Sequence, residues 1–347
     1  MSNKGKVSLF IGAWILTAMA SSAASAAEAK VRVGHYPNLT HAQALVGRAS
    51  GWFESRVQSP IEWKVFNAGP IEMEALLANA IDLGYVGPNP ALNAYLRSGG
   101  TALKIVAGAA SGGAALVTRK EANLKSPSDF RGKRVASPEL GNTQDVALRH
   151  WLKTQGLQPG KDVQVIPIKN PDILTLFQRK ELDAAWVPEP WVTRLIQEGG
   201  GTLFLDERDL WPDGRFSTAV LVVRAEFLKQ HPDLVRQFIA AHQELTDWIH
   251  EHPEESRNQL NETLSRLSGK PLPPELVQEA LGRMEITYDP LIPALLTVAG
   301  WAQELNYLPR SAQVSNLSVF DLSLLNEVLL EHKRPTIHLP SDQEENR

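Results

Sequence analysis

Four short polar segments stand where an apolar run gives way to a helix-like pattern: YPNLTHAQ (36–43), VGPNPAL (86–92), SPELGNTQDVAL (137–148) and VPEPWV (187–192). A fifth, AASGGAAL (109–116), stands at the end of another strand. The first turn of a helix has free backbone N–H groups and the positive end of the helix dipole, so such starts bind anions without lysine or arginine. The residues that the segments place there are Asn38, Thr40, Asn89, Ser111, Gly112, Asn142, Thr143, Gln144, Glu189 and Trp191. Their chemistry favours a site for a small anion.

Helix capping explains each of these segments taken alone. A polar residue before a helix stabilises it by about 1 kcal/mol. Asn89 is predicted to be an N-cap with Pro90 at the first helical position, and Glu189 an N-cap before Pro190. Five such corners, divided between two similar parts of the chain, favour a shared binding site over capping alone.

The fourth segment carries the most specific expectation. Its GNTQD stretch should hold the anion through the backbone N–H groups and hydroxyl of Thr143, with Asn142 beside it. This corner should face Asn38, Thr40 and Asn89 across a cleft. Since no lysine or arginine lies within the corners, neutral dipoles must provide the recognition.

The elements that must position the corners alternate between strand and helix. The stretch NAIDLGYVGPNPALNAY recurs as KELDAAWVPEPWVTRL, each with an Asp, an apolar run, Pro-x-Pro and a helix-like end. Pro70 stands twelve residues before Asp82, and Pro171 stands twelve before Asp183. Strands alternating with helices predict parallel βαβ units, and ligands of such sheets bind beyond the carboxyl ends of the strands.

This repeat predicts an α/β protein with two similar lobes. The cycle begins near residue 31 and again near residue 133, and a last strand in FSTAVLVVRAEFL is followed by helices that should return to the first lobe. The predicted division is lobe 1 at 30–115 and 220–330, lobe 2 at 116–219, hinges near Ala115–Thr118 and Phe216–Ala219, and a disordered tail at 333–347.

The first residues have the pattern of a secretory signal peptide. Lys4 and Lys6 precede the apolar run VSLFIGAWILTAMA, which ends before the small-residue site Ala24-Ser25-Ala26. The run is shorter than the ~20 residues that a membrane span needs. A cleaved segment over residues 1–26 is therefore expected, with export to a periplasm.

Composition narrows the partners of the exported chain. There is no cysteine, so disulfides, thiolate chemistry and the acylated cysteine of a lipoprotein are excluded. Removing the signal peptide takes away two lysines and no acidic residue, which moves the net charge from −4 to −6. This mildly acidic chain does not suit a nucleic-acid partner. We expect a monomer without metal or cofactor.

The corner segments also resemble a known family. VGHYPNLTHAQALVG, DLGYVGPNPALNAY, LGNTQDVALRHWL and DAAWVPEPWVTRL resemble the nitrate/taurine/aliphatic-sulfonate family of periplasmic binding proteins of ABC importers, and within it the sulfonate and sulfate-ester group. The resemblance implies a type II periplasmic-binding fold, whose lobes close on a small oxyanion and deliver it to a membrane permease. It assigns ligand contacts to Asn38, Thr40, His41, Gly87, Asn89, Ser111, Gly112, Asn142, Thr143, Gln144, Glu189 and Trp191.

Other ligands and other functions stay open at this point. Nitrate, bicarbonate and taurine are alternatives within the family, and for the amine of taurine Glu189 or Asp145 could supply a carboxylate or only cap a helix. The sequence has no Gly-x-Ser-x-Gly, His-Glu-x-x-His or phosphate-loop signature. An exported enzyme on the same fold, with His41 as a base, and a sensor domain are the remaining alternatives.

Overall fold

The structure is a computed structural model that describes residues 30–310 and 317–340. Its strands are β1 (Val31–His35), β2 (Ile61–Val65), β3 (Leu83–Val86), β4 (Leu103–Gly112), β5 (Ala114–Arg119), β6 (Arg134–Ser137), β7 (Gln164–Pro167), β8 (Ala184–Pro188), β9 (Gly201–Asp206), β10 (Ser217–Arg224) and β11 (Met284–Ile286). Its α-helices are α1 (Ala42–Ser50), α2 (Gly69–Leu77), α3 (Pro88–Arg97), α4 (Thr143–Thr154), α5 (Asn170–Gln178), α6 (Trp191–Gln197), α7 (Ala225–Gln230), α8 (Pro232–Glu251), α9 (Pro253–Ser268), α10 (Pro274–Leu281), α11 (Ile292–Glu304) and α12 (Ser323–Glu331). The expected signal peptide lies outside the described residues.

The strands form two separate sheets. The first has the order β11-β4-β10-β3-β1-β2, and the second has the order β7-β6-β8-β5-β9. In the first sheet β1 is parallel to β2 and β3, whereas β10 is antiparallel to β3 and β4. In the second sheet β6 is parallel to β7 and β8, whereas β5 is antiparallel to β8 and β9. The first sheet thus takes strands from both sides of the segment that forms the second. The exact lobe boundaries stay a prediction.

The internal repeat is visible in the hydrogen bonds that tie the parallel strands together. In the first sheet the Asp82 amide donates to the Arg32 carbonyl at 2.8 Å, and the Arg32 amide donates to the Asp82 carboxylate at 3.0 Å. In the second sheet Asp183 and Arg134 exchange the same two bonds, both at 2.9 Å. The recurring Asp therefore closes the loop that leads into a parallel strand, once in each sheet.

The C-terminal helices cover the first sheet, as their apolar spacing predicts. The largest buried cluster joins side chains of the first sheet with side chains of the long helix α8 and of α9, α11 and α12. Phe238 of α8 stacks on Phe53 with ring centroids 4.4 Å apart. Two smaller clusters lie on the second sheet, one with Phe177 of α5 and one with Trp151 of α4. Helices on both faces explain why β3 and β8 are buried along their whole length.

The chain crosses between the sheets at two adjacent places. It leaves the first sheet at Gly112 and Gly113, whose φ angles of +73° and +72° favour glycine. It returns through 207–216 and re-enters the first sheet in β10. The two crossings are joined by a hydrogen bond from the Gly112 amide to the Phe216 carbonyl at 3.1 Å. The segments expected to be hinges lie mostly inside β5 and β10, next to these crossings, and their role as hinges stays a prediction.

The C-terminal stretch is packed as far as it is described. Asn326 and Ile337 exchange two hydrogen bonds of 3.0 and 2.9 Å, and Arg334 pairs with Asp247 at 2.7 Å. The disorder expected from residue 333 therefore does not apply to this part, and residues 341–347 lie outside the described chain. Among the described residues, none of the helices is both long and apolar enough to cross a bilayer.

Candidate ligand-binding site

A polar pocket lies where the carboxyl ends of strands from both sheets face each other. The cavity together with the solvent space in its mouth has a volume of about 330 Å³. The loops after β1, β3, β6 and β8 reach it because parallel strands end at the same edge of their sheet. The polar pocket is lined by Tyr36, Asn38, Thr40, His41, Asn67, Gly87, Asn142, Gln144, Asn170, Pro188 and Thr218.

At the α4 corner the Thr143 backbone amide differs from expectation. Asn142 is the N-cap, and its side-chain oxygen accepts the Thr143 amide at 2.8 Å. The Thr143 amide, expected to hold the ligand, is therefore already bound. Within the described part of the chain, the buried Thr143 hydroxyl oxygen has no hydrogen-bond partner. Thr143 itself does not line the polar pocket, because its hydroxyl oxygen packs against Gly87 at the edge of the pocket.

The α3 corner also starts differently. The helix begins at Pro88 with Gly87 as its N-cap, so the prediction of Asn89 as the N-cap is wrong. The Asn89 side chain instead donates to the Gly141 carbonyl, which belongs to the second sheet's α4 corner. Gly87 lies so close to this corner that a Cβ there would be 2.4 Å from Thr143 Oγ1. The α3 and α4 corners are thus in direct contact across the pocket.

A second set of bonds joins the corners that follow β1 and β8. The Leu39 amide donates to the Glu189 carbonyl at 3.1 Å. The indole Nε1–H of Trp191 donates to Asn38 Oδ1 at 3.2 Å, and the Trp191 side chain is buried. Trp191 therefore bridges the two sheets and does not line the polar pocket in this arrangement.

The Glu189 carboxylate is fully engaged with protein groups. It accepts the Thr193 amide at 3.1 Å and the Thr193 hydroxyl at 2.9 Å, and it pairs with Arg283 at 3.1 Å. Burial raises the pKa of Glu189 above its ordinary value, while the bonds from Thr193 and Arg283 oppose this. Helix α6 begins at Trp191 with Pro190 as the N-cap, so the predicted N-cap role of Glu189 is corrected, although its carboxylate does cap an amide of the first turn.

The Asp145 carboxylate is likewise satisfied by the protein. It accepts the Ser137 hydroxyl at 2.7 Å, the Gly141 amide at 3.0 Å and the Tyr307 hydroxyl at 2.9 Å. It also forms an ion pair with Arg149 at 2.9 Å. Asp145 therefore shapes the α4 corner from behind and leaves no oxygen directed at the polar pocket.

Ser111 and Gly112 lie behind the polar pocket. The Ser111 hydroxyl accepts the Phe216 amide at 3.2 Å, and Ser111 lines a separate, open depression beside Arg208. The Gly112 carbonyl accepts the hydroxyl of Thr218 at 2.7 Å. Thr218 is the residue that lines the polar pocket at this edge, so the predicted pair supports a pocket residue that the sequence did not indicate.

Two buried titratable groups belong to this region, His41 in the wall of the pocket and Glu72 behind Tyr36. The Tyr36 amide donates to His41 Nδ1 at 3.3 Å, which assigns the His41 proton to Nε2, and burial lowers the pKa of His41 well below its ordinary value. The Tyr36 hydroxyl donates to Glu72 at 2.6 Å, and burial raises the pKa of Glu72 well above its ordinary value. None of the described residues that line the polar pocket has a lysine, arginine, aspartate or glutamate side chain.

Comparison with known proteins decides the family. The profile of the NMT1-like family matches residues 24–265. The chain belongs to the NMT1-like family. A binding protein of Brucella abortus (strain 2308) is 32% identical to it over 238 residues, which cover 68% of this chain and 72% of that protein. The taurine-binding periplasmic protein of Escherichia coli (strain K12) is 28% identical over 227 residues, which cover 65% and 68% of the two chains.

The fold of this NMT1-like protein has also been seen in solved structures. The alkanesulfonate-binding protein of Xanthomonas axonopodis pv. citri bound to MOPS superposes with a TM-score of 0.70 at 22% identity, over 84% of this chain and 99% of that chain. The predicted type II periplasmic-binding fold and the family resemblance are confirmed. The protein is a solute-binding protein of the class that serves ABC importers.

Three residues that line the pocket of the NMT1-like protein were not predicted from its sequence: Asn67, Asn170 and Thr218. Asn67 follows β2 and Asn170 follows β7, the equivalent strand of the repeat, and each stands shortly before the prolines Pro70 and Pro171 that mark the repeat. The Asn170 side-chain oxygen is buried and has no partner among the described residues. The prolines could have indicated this pair. Thr218 had no such signal, because it reaches the pocket only through the insertion of β10 between β3 and β4.

Replacing Thr143 by valine tests the free hydroxyl. Thr143→Val removes one donor and leaves the side-chain shape, so affinity for the best ligand should fall tenfold to a hundredfold, the ~1.5–3 kcal/mol of a hydrogen bond to a charged group. The melting temperature of the empty protein should stay the same, since no protein partner is lost. Calorimetric titration and thermal unfolding measure the two quantities.

On the same helix, Thr154→Val removes a hydroxyl that donates to the Trp151 carbonyl at 2.7 Å and should leave affinity unchanged. Unaltered affinity with reduced stability in Thr143→Val would contradict the assignment.

Proposed function

We propose that this NMT1-like protein captures a small organic oxyanion, an aliphatic sulfonate or a sulfate ester, in the periplasm and delivers it to the permease of an ABC importer. The observation that carries the proposal is a pocket built from both sheets and lined mainly by neutral polar side chains, with no charged side chain among the described residues that line it. The likeness to a taurine-binding relative and to an alkanesulfonate-binding structure supports the choice of ligand class. The exported chain would begin near Ala27, after the signal peptide.

Neutral donors around the pocket suit a monoanion with several oxygens. The Nε2–H of His41 and the amide groups of Asn67 and Gln144 can each donate one bond to an oxyanion in the pocket. The Thr143 hydroxyl, which has no partner among the described residues, is a further donor at the adjoining α4 corner. The N-terminus of α4 adds the positive end of its dipole. Hydrogen bonds to the charged form replace the water that the ion loses on entering the pocket. No counter-ion from the protein is then needed.

Closure of the two sheets on the ligand is the mechanism that we propose. Asn89 reaches Gly141, and Trp191 reaches Asn38, so corners of both sheets already touch each other in this arrangement. A ligand that bonds to both sides favours the closed form by its extra contacts. The permease would recognise that form. The protein would act as a monomer and without a cofactor.

The pocket disfavours a zwitterion. The ammonium group of taurine needs a carboxylate or several free acceptors when it is buried. The two carboxylates that belong to the corner segments, Glu189 and Asp145, are bound to Arg283 and Arg149 respectively. The Glu189 and Asp145 carboxylates therefore cap helices and hold the corners together. Taurine is the less favoured alternative for this chain.

A matched pair of ligands tests this. Propane-1-sulfonate and taurine have the same length and differ in a methyl against an ammonium group. In calorimetric titration we expect propane-1-sulfonate to bind at least tenfold more tightly than taurine. Methyl sulfate should also bind, and nitrate and bicarbonate should bind more weakly than propane-1-sulfonate. A ligand at 100 times its dissociation constant should stabilise the protein by about 2.7 kcal/mol in thermal unfolding. Tighter binding of taurine, or binding of nitrate alone, would reject the proposed ligand class.

The same samples separate a binding protein from an exported enzyme. Since no nucleophile-base set was found in the sequence, a bound aryl sulfate should be recovered unchanged after incubation. Release of inorganic sulfate by the pure protein, lost in His41→Gln, would instead assign a hydrolase.

A further inference from the structure

An apolar groove runs along the surface beside the polar pocket. It lies between helices α2 and α3, the loop before α4 and the segment after α11, and its volume, including the solvent space in its mouth, is about 650 Å³. Its apolar wall consists of Pro70, Met73, Leu77, Pro90, Leu140 and Tyr307. Glu74 and Arg97, one of each sign, also line it, so the groove has no net charge.

The groove lies beside the polar pocket at the same corners, and the hydrogen bond from Asn89 to Gly141 separates the two cavities. Gly87 lines the polar pocket and Pro90 lines the groove, one helical turn further along α3. At the α4 corner Asn142 lines the polar pocket, while Leu140 lines the groove. After β2 the chain passes in the same way from a pocket asparagine to the groove residue Pro70. Three corners thus turn a polar side toward one cavity and an apolar side toward the next.

Two exposed leucines on this groove have no role in the core. Leu140 is 57% exposed although it stands in the loop that holds the α4 corner, and Leu77 at the end of α2 is 39% exposed. Covering a leucine side chain fully should raise the affinity by about tenfold or more. An apolar ligand group that covers both would therefore gain affinity that the polar pocket cannot supply.

We propose that the groove binds the uncharged apolar tail of the same solute whose oxyanion lies in the polar pocket. The proposal rests on the proposed function. The polar pocket is smaller than the groove and is lined mainly by amides, hydroxyls and the His41 ring, so it suits the head group and not an alkyl or aryl chain. The ligand is then an amphipathic monoanion with several carbons or a ring. The hydrogen bond from Asn89 to Gly141 lies at the boundary of the two cavities, where it would have to open to admit such a ligand.

A chain-length series tests the groove with the full exported protein. Methane-, butane- and hexanesulfonate are titrated by calorimetry, and affinity should rise by about fourfold for each methylene that the groove buries. In Leu77→Gln and Leu140→Gln, hexanesulfonate should bind about tenfold more weakly, while methanesulfonate should bind within about twofold of wild type. Leu330→Gln, which changes a leucine that is 64% exposed on the distant helix α12, should alter neither ligand.

The outcomes separate this proposal from the one on which it rests. If methanesulfonate binds but affinity is flat along the series, or if the groove variants weaken both ligands equally, the groove proposal is overturned and the oxyanion site stands. The groove would then belong to another occupant, such as the permease or a second copy of the chain. If none of the sulfonates binds, both proposals fall.

Discussion

Gly87→Ala should reduce the affinity for the solute by about a hundredfold or more. Gly87 lines the polar pocket, and a Cβ at this position would be 2.4 Å from Thr143 Oγ1 and 3.6 Å from Asn142 Oδ1. Both atoms belong to the α4 corner on the second sheet, so the added methyl group keeps the corners apart. A closed form that costs about 3 kcal/mol more lowers the affinity by about two orders of magnitude.

The fold of the first sheet should tolerate this change. The φ angle of Gly87 is −66°, a value that alanine adopts without strain. Thermal unfolding of the empty protein should shift little, because replacing the N-cap of α3 costs at most about 1 kcal/mol. Calorimetric titration of the same sample measures the affinity. Gly300→Ala is the matched control, since a Cβ at Gly300 meets nothing within 4 Å inside α11, and it should leave affinity unchanged. Binding by Gly87→Ala at the strength of wild type would refute the closed arrangement of the two corners.

Glu207→Gln should remove a stabilisation of about 3 kcal/mol that wild type has at low pH and loses as the pH rises. Glu207 is buried at the start of the return crossing and accepts the indole N–H of Trp186 at 2.7 Å. Burial raises the pKa of Glu207 from 4.5 to about 7. The folded state then binds the proton more tightly than the unfolded state. The stabilisation is fully present below pH 4.5 and is lost as the pH rises through 7, by about 1.4 kcal/mol for each unit between the two pKa values.

Glutamine keeps a neutral acceptor for Trp186 and cannot ionise. The free energy of unfolding of wild type relative to Glu207→Gln should therefore fall by about 3 kcal/mol between pH 4.5 and pH 8.5. Burial also lowers the pKa values of His35 and His242 to about 4, with the opposite sign, but this contribution is common to both proteins and cancels in the difference. Urea unfolding at several pH values gives the measurement. The exposed Glu254→Gln serves as the control with a flat difference, and a flat difference for Glu207→Gln itself would show that this carboxyl is not buried as described.

Much of the architecture could be read from the sequence because it is encoded locally. The alternation of apolar strands and helices, and the Asp82 and Asp183 loops that repeat about 101 residues apart, follow from backbone hydrogen bonding between neighbouring segments. The N-cap at Asn142 is local as well, since its side chain bonds to the next amide. The corner motifs also placed the chain in its family, whose profile covers residues 24–265.

The state of each polar group at the site was decided only by the tertiary structure. Glu189 looked available for a ligand until Arg283, more than ninety positions later, came to lie beside it, and Tyr307 does the same for Asp145. Thr218 reaches the polar pocket because β10 enters the first sheet antiparallel after the second sheet is complete. A sequence pattern indicates which groups need hydrogen bonds. Distant segments that fold against them determine which of those groups are satisfied by the protein and which are left for a ligand.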